Sequence, residues 1–364
     1  MASNSFGSIF RITTWGESHG KAIGVTIDGC PAGLAISEEE IREALVRRRP
    51  GNNSYTSPRK EEDKAEILSG VFQGKTTGAP ISILIANKDV DSSSYEPIKD
   101  LLRPGHANFT YLEKYGIFDY RGGGRSSGRE TACRVAAGAV AKKLLEFYGI
   151  ETIAYLKQIG KISTTSPSFS NMEQLRRDVY TSPLFCPDEM TAKQMMAYLQ
   201  EILEEGDSIG GVVEFVATNL PVGLGDPIYD KLSATLAKAM MSLPATKAFE
   251  IGSGFAACMM KGSEHNDEFS KEGDQITMKT NHSGGVLGGI STGLPLVGRV
   301  GFKPPSSIKK MQKTVTTTGE ETTFSLSETA RHDPTVAIRA APVVEAMLSL
   351  VLADAILMQK SAKL

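Results

Sequence analysis

Three arginines, Arg121, Arg125 and Arg129, recur at four-residue spacing in the stretch DYRGGGRSSGRET, residues 119–131. Guanidinium forks match the paired oxygens of carboxylates and phosphates, and they stay charged at any working pH. The whole chain carries a formal net charge of only −2, so this positive charge is local and implies a local anion. Further basic candidates are Arg47, Arg48 and Arg49 in RRRPG, Arg103 in RPGHA, and Arg331 with Arg339. Ser126 and Ser127 stand just ahead of an expected helix start, where hydroxyls and free backbone N–H groups also suit an anion. Arg47 and Arg134 are read as ordinary surface ion-pair partners.

Two histidines keep company with these groups: His19 in WGESHGKAIG and His106 in RPGHANFTY. Glycine neighbours leave a loop histidine free to face a cleft, and imidazole titrates near neutrality, so both are read as proton carriers. His265, in GSEHNDE, is read as a solvated loop residue. Asp333, in RHDP, is a carboxylate in otherwise basic surroundings. It is either a base or the cap of a helix beginning near residue 335. Together these groups fit a small, multiply charged ligand. Nucleic-acid proteins usually present a broader basic face with aromatic platforms. Neither a Walker-type loop nor GxGxxG after a strand occurs. Cys30, Cys133, Cys186 and Cys258 are isolated, so neither a disulfide framework nor a zinc site is expected, and a cytoplasmic setting is.

The elements that must position these residues follow from patterning. With 40% hydrophobic and 23% charged residues, the chain is composed like a globular protein. No apolar run is read as long enough for a membrane helix, and no signal peptide is expected. Apolar alternation predicts strands near 9–14, 22–28, 80–86, 211–217 and 295–302. Ser37 with Glu40 forms a capping-box signature for a helix ending at Pro50-Gly51. Further helices are predicted over 129–149, 188–206, 227–243 and 341–360, the last strongly apolar and hence buried. Glycines cluster at 121–128 and 281–293, marking tight turns or close approach to a ligand. An arginine-bearing loop precedes both the Ala-rich helix at 129–149 and the C-terminal helix. That echo suggests a pseudo-symmetric α/β arrangement with both loops facing one cleft; a single sequence does not separate this from chance likeness. The whole chain, 1–364, is taken as one large compact domain with functional loops near 47–60, 88–129, 281–291 and 303–335.

GESHG (16–20), RRRPG (47–51), RPGHA (103–107), DYRGGGRSSGRETA (119–132), GDSIGG (206–211), NHSGGVLGGIS (281–291), KPPSSI (303–308) and RHDP (331–334) occur in order, and together they resemble the chorismate synthase family. The resemblance implies a β-α-β sandwich, usually a homotetramer. It implies a lyase that converts 5-enolpyruvylshikimate 3-phosphate to chorismate and phosphate by 1,4-elimination, with reduced FMN required although no net redox change occurs. NADPH is a possible reductant, because some members reduce their own flavin and others take an external source. By the same resemblance Arg48, Arg49 and Arg129 surround the substrate, and His19 protonates the departing phosphate. His106 manages charge on the flavin, and Asp333 removes the C6 proton through flavin N5. FMN contacts fall on Arg125, Ser126, Ser127, Ala245, Gly288, Lys303, Pro304, Pro305, Ser306, Ser307 and Arg331. Members usually carry a basic residue where this sequence has Ser54, with Arg59 or Lys60 as substitutes, and Pro244 also departs from many of them. Two other classes compete: an RNA-binding module using the arginines, and an ordinary flavin oxidoreductase consuming NADPH.

Overall fold

The computed structural model describes residues 3–49, 51, 63–88, 93–326 and 333–362. Arg331, Ser54, Arg59, Lys60 and Pro50 lie outside the described residues.

The chain opens with β1 (Ser5–Phe6), β2 (Arg11–Gly16) and β3 (Ala22–Asp28), then α1 (Glu38–Arg48). Ser37 caps α1 as its pattern predicts: the hydroxyl accepts from Glu40 N–H while the Glu40 carboxylate accepts from Ser37 N–H. β4 (Ala65–Ser69), the small hairpin β5 (Val71–Phe72) and β6 (Lys75–Thr76), and β7 (Ile81–Ala86) follow. Order in the first sheet is β1-β2-β3-β7-β4. β3 and β7 pair Ile23 with Ile85, Val25 with Ile83 and Ile27 with Ile81, and all six are buried. Such β-branched pairs suit a pleated, covered face. α2 (Asn108–Tyr115) and the Ala-rich α3 (Thr131–Phe147) complete the first half.

The second half contains β8 (Glu151–Ile159), β9 (Ile162–Ser163), α4 (Met172–Thr181), α5 (Glu189–Glu204), β10 (Gly211–Thr218), α6 (Leu232–Met241) and β11 (Thr246–Ile251). After α7 (Gly262–His265) come two hairpins, β12 (Phe269–Glu272) with β13 (Gln275–Met278), and β14 (Val286–Leu287) with β15 (Ile290–Ser291). β16 (Leu296–Phe302), the hairpin of β17 (Gln312–Val315) and β18 (Glu321–Phe324), and α8 (Ala337–Gln359) end the order. Order in the second sheet is β11-β16-β10-β8-β9. Pairings in both five-stranded sheets are antiparallel.

The helices fill the space between the sheets. α3 packs on β3, α8 on β8 and β10, and α3 packs along α8. Their closest approach is at Gly138, where a Cβ would stand 2.4 Å from Ala346 Cβ, so only glycine lets these backbones meet. Twenty of the 23 residues of α8 are buried. By length and composition α8 could cross a membrane, contrary to the reading that no run suffices. Its most apolar window has mean hydropathy 1.9, and 94% of that window is buried within the protein. A core helix covered on all sides is apolar all round for the same reason a membrane helix is. Each half thus supplies an antiparallel sheet and closes with a long buried helix, as the sequence echo suggested. This is the β-α-β sandwich.

Candidate active site

The loops ahead of α3 and α8 line one cleft of about 1070 Å³, with a branch of about 150 Å³ reaching toward α1. Gly128, Pro244, Ala245, Asp333 and Val336 line both spaces.

Three loops are stitched together to make the wall. Lys303, at the end of β16, donates its N–H to Ala245 O at 2.9 Å, and Ala245 holds φ at 67°, a left-handed conformation rarely taken by alanine. Ser208, in GDSIGG, donates its hydroxyl to Pro305 O at 2.7 Å, fixing the loop that carries Ser306 and Ser307. Lys303 Nζ donates to Gly105 O at 2.6 Å, and a Cβ on Gly105 would press on Ser306 Cβ at 3.2 Å. The 101–108 loop is held in turn by Leu102 N–H donating to Val315 O (3.0 Å) and Asn108 Nδ2 donating to Leu101 O (2.7 Å).

The glycine-rich loop has a more specific purpose than turning. Gly122, Gly123 and Gly124 all have positive φ, at 63°, 91° and 55°. A Cβ on Gly122 would stand 2.5 Å from the His19 ring, and one on Gly123 would stand 3.4 Å from His106 Nε2. The two predicted histidines therefore pack against successive glycines. His19 is only 7% exposed, edge-on to Tyr95 with ring centroids 5.3 Å apart; Tyr95 and Gly122 line the cleft in front of it. His106 lines the cleft directly.

Electrostatics differ between the two ends. His106 Nδ1 accepts from Asn108 N–H at 3.1 Å, and Arg103 Nη2 lies 2.9 Å from Nε2. An imidazolium has two donors and no acceptor, so two facing donors disfavour it. Burial first, then the charge of Arg103, and more weakly that of Lys303, hold His106 at about 4. It is neutral at pH 7. On the other side, Arg48 and Arg129 close on Asp63: Arg48 Nη1 is 3.1 Å from Oδ2, and Arg129 Nη1 donates to Oδ1. Burial, then the nearby Arg339 guanidinium, push Arg48 down to about 10 against the pull of Asp63, so it stays charged.

Of the predicted residues, His106, Asp333, Arg125, Ser126, Ser127, Ala245, Lys303, Pro304, Pro305, Ser306 and Ser307 line the cleft, and Arg48 lines its branch. His19 and Arg129 stand buried behind this wall. Arg49 is half-buried at the C-cap of α1, and Gly288 is exposed at the β14–β15 turn; neither is among the lining residues. Arg125 lines the cleft but donates to Gly16 O, Thr14 O, Thr14 Oγ1 and Asn4 Oδ1 at 3.0–3.1 Å, so it ties the loop to β2. Asp333 does not cap α8; Thr335 Oγ1 accepts from Ala337 N–H, and Asp333 instead pairs with Arg339 at 2.9 Å.

Three readings need correction. Arg47 stacks over the Tyr180 ring, 4.6 Å from its centroid, rather than forming a surface ion pair. Arg134 does pair with Glu130 at 2.9 Å but lines the cleft. His265 is half-buried, with its ring 5.8 Å from that of His282. Asp63, Asn87 and Tyr95 escaped sequence reasoning. An isolated acid, amide or tyrosine carries no spacing signal; the basic partners of Asp63 lie 15 and 66 residues away.

The chain is similar to known proteins along nearly its whole length. The family model described as chorismate synthase matches residues 10–357. A chorismate synthase of Protochlamydia amoebophila is 58% identical, covering all of both chains. One from Synechocystis is 55% identical over 97% of each. A crystal structure of chorismate synthase superposes with a TM-score of 0.78 at 35% identity, covering 98% of this chain and 94% of that one. A match over residues 10–357, with a relative 58% identical along the whole of both chains, shows that the chain belongs to the chorismate synthase family.

Proposed function

We propose that this protein converts 5-enolpyruvylshikimate 3-phosphate to chorismate and phosphate, a lyase step of the shikimate pathway. The observation that carries the reading is the cleft: two histidines against one glycine loop, a carboxylate at the junction of two compartments, and cations along the wall. A substrate with one phosphate and two carboxylates supplies the anionic charge such a wall accepts.

Family membership implies a reduced flavin, and we take it to be FMN. The residues fit one. About 1070 Å³ accommodates a flavin nucleotide beside a small substrate; Ser126, Ser127, Ser306, Ser307 and Lys303 offer donors for its phosphate, and the left-handed Ala245 backbone lies between the two spaces. Bound there, the reduced flavin supplies an electron-rich ring. Arg48 and Arg129 bind and orient the substrate anions. His19, shielded from bulk water by Gly122 and Tyr95, delivers a proton to the leaving phosphate oxygen. Asp333, anchored by Arg339, takes up the proton lost from C6. His106 enters neutral and gains a proton when negative charge arrives beside it. We further place the enzyme in the cytoplasm as a one-domain chain in a homotetramer, with no nucleic-acid or membrane partner.

The test is anaerobic phosphate release with FMN reduced once by a chemical reductant. Many turnovers per flavin are expected, and none with oxidised FMN. One phosphate per flavin would mean an ordinary redox enzyme and overturn the reading. Adding NADPH to the oxidised flavoprotein decides whether this chain reduces its own cofactor.

A further inference from the structure

One buried carboxylate beside the cleft has no part in the chemistry described so far. The Asp63 side chain, just ahead of β4, has no solvent exposure. It offers one oxygen to each of two arginines, Oδ2 to Arg48 and Oδ1 to Arg129. Its backbone sits at φ 48°, in the left-handed region where a non-glycine residue is strained.

Each arginine is held from a second side as well. Arg48 donates from Nε to Thr131 Oγ1 at 3.2 Å and from Nη2 to Gly128 O at 2.9 Å. Arg129 donates from Nε to Asn87 Oδ1 at 2.9 Å. The Asn87 amide donates onward to Glu17 O (3.0 Å) and Gly20 O (2.8 Å), the two ends of the loop that carries His19. A simple counter-charge needs only to be near. It has no need to divide its oxygens between two forks, or to hold a strained backbone to do so.

We propose that Asp63 is a positioning residue: its carboxylate sets the mutual angle of the Arg48 and Arg129 forks, so that they accept the spaced anionic groups of the substrate in preference to a lone small anion. The proposal rests on the reading of these arginines as substrate-binding.

Two variants separate charge from position. Asp63→Glu keeps the charge and moves the carboxylate outward by one methylene. Asp63→Asn keeps the shape and removes the charge. Dissociation constants would be measured for 5-enolpyruvylshikimate 3-phosphate and for inorganic phosphate, with kcat from phosphate release. In both variants substrate affinity falls by about 10- to 100-fold and kcat falls with it. Inorganic phosphate binds within about threefold of wild type in Asp63→Glu and more tightly in Asp63→Asn, which has lost a repelling charge. If substrate and phosphate affinities move together, or Asp63→Glu equals wild type, Asp63 is only a counter-charge and the proposal fails. Should neither variant fold, a crystal structure of the wild-type substrate complex decides: both arginines still on Asp63 supports the role, and either one turned away from it overturns it. Wild-type protein that releases no phosphate from the substrate sinks the functional reading instead.

Discussion

Two groups of basic residues flank one cleft and are built in opposite ways. Arg48 and Arg129 are buried around Asp63, with an amide, a hydroxyl and a carbonyl completing the forks. Arg103, His106 and Lys303 gather at the cleft wall, and among the described residues no carboxylate pairs with Arg103 or Lys303. The first group carries a counter-charge of its own, one buried carboxylate shared by two guanidiniums. The second has no such carboxylate, and its charge adds to burial, the larger cause, in keeping His106 neutral. The first group is therefore a fixed template for shape, and the second a reservoir of potential that an incoming anion relieves.

The strongest way to break this contrast is to remove a partner from the compensated group. Arg48→Met leaves Asp63 buried with one arginine instead of two. Asp63 keeps Arg129, so the cost is that of the lost charged hydrogen bonds to Asp63, Thr131 Oγ1 and Gly128 O, and unfolding free energy in denaturant is expected to drop by about 3 kcal/mol. A loss below about 1 kcal/mol would show that the buried group is no more integral than surface pairs are.

The next test addresses the uncompensated group through pH. His106 titrates at about 4 in the folded protein, against its ordinary 6.5, so the unfolded chain binds the proton first. The free protein then loses stability as pH falls from about 6.5 toward 4, by up to about 3 kcal/mol in all. His106→Gln abolishes that segment. Comparing both proteins at pH 7.5 and 4.5, the difference should move in the variant's favour at low pH; a constant difference would remove His106 from the reservoir.

Salt sharpens the comparison with the smallest effect. Raising ionic strength from about 0.05 to 0.5 M should weaken FMN binding several-fold, about 1 kcal/mol, because the cleft wall is open to screening. The cost of Arg48→Met should stay nearly constant over the same range, since its pair is buried. Parallel salt dependence of the two would erase the distinction.

The sequence discloses residues whose neighbours lie close in the chain. Ser37 and Glu40 announce α1 because capping acts over three residues, and the glycines beside His19 and His106 point to both; His106 lines the cleft, while His19 stands buried behind it. The strand at 9–14 was found two residues early, and α4 was missed because its apolar positions Met172, Leu175 and Val179 are few among charges. The loops at 262–292 and 303–335 hide three hairpins, β12–β13, β14–β15 and β17–β18, whose short strands give alternation little length to show. Asp63 could not be read at all, because its meaning depends on two arginines that only folding brings to it. Arg125 looked like an anion ligand, and its carbonyl partners on β2 became visible only with the tertiary structure.

The near-total burial of α8 has a consequence for how the chain comes into being. Every other described element that it packs on precedes it, so while the polypeptide emerges N-terminus first, the facing surfaces of β8, β10 and α3 await a partner not yet made. Gly138 likewise has nothing to meet until Ala346 arrives. When α8 does emerge, it is for a moment an exposed stretch of membrane-like hydropathy, the sort of segment that chaperones and insertion machinery both compete to capture. The apolar surface that makes this helix the centre of the core is thus the surface it must shield until it docks.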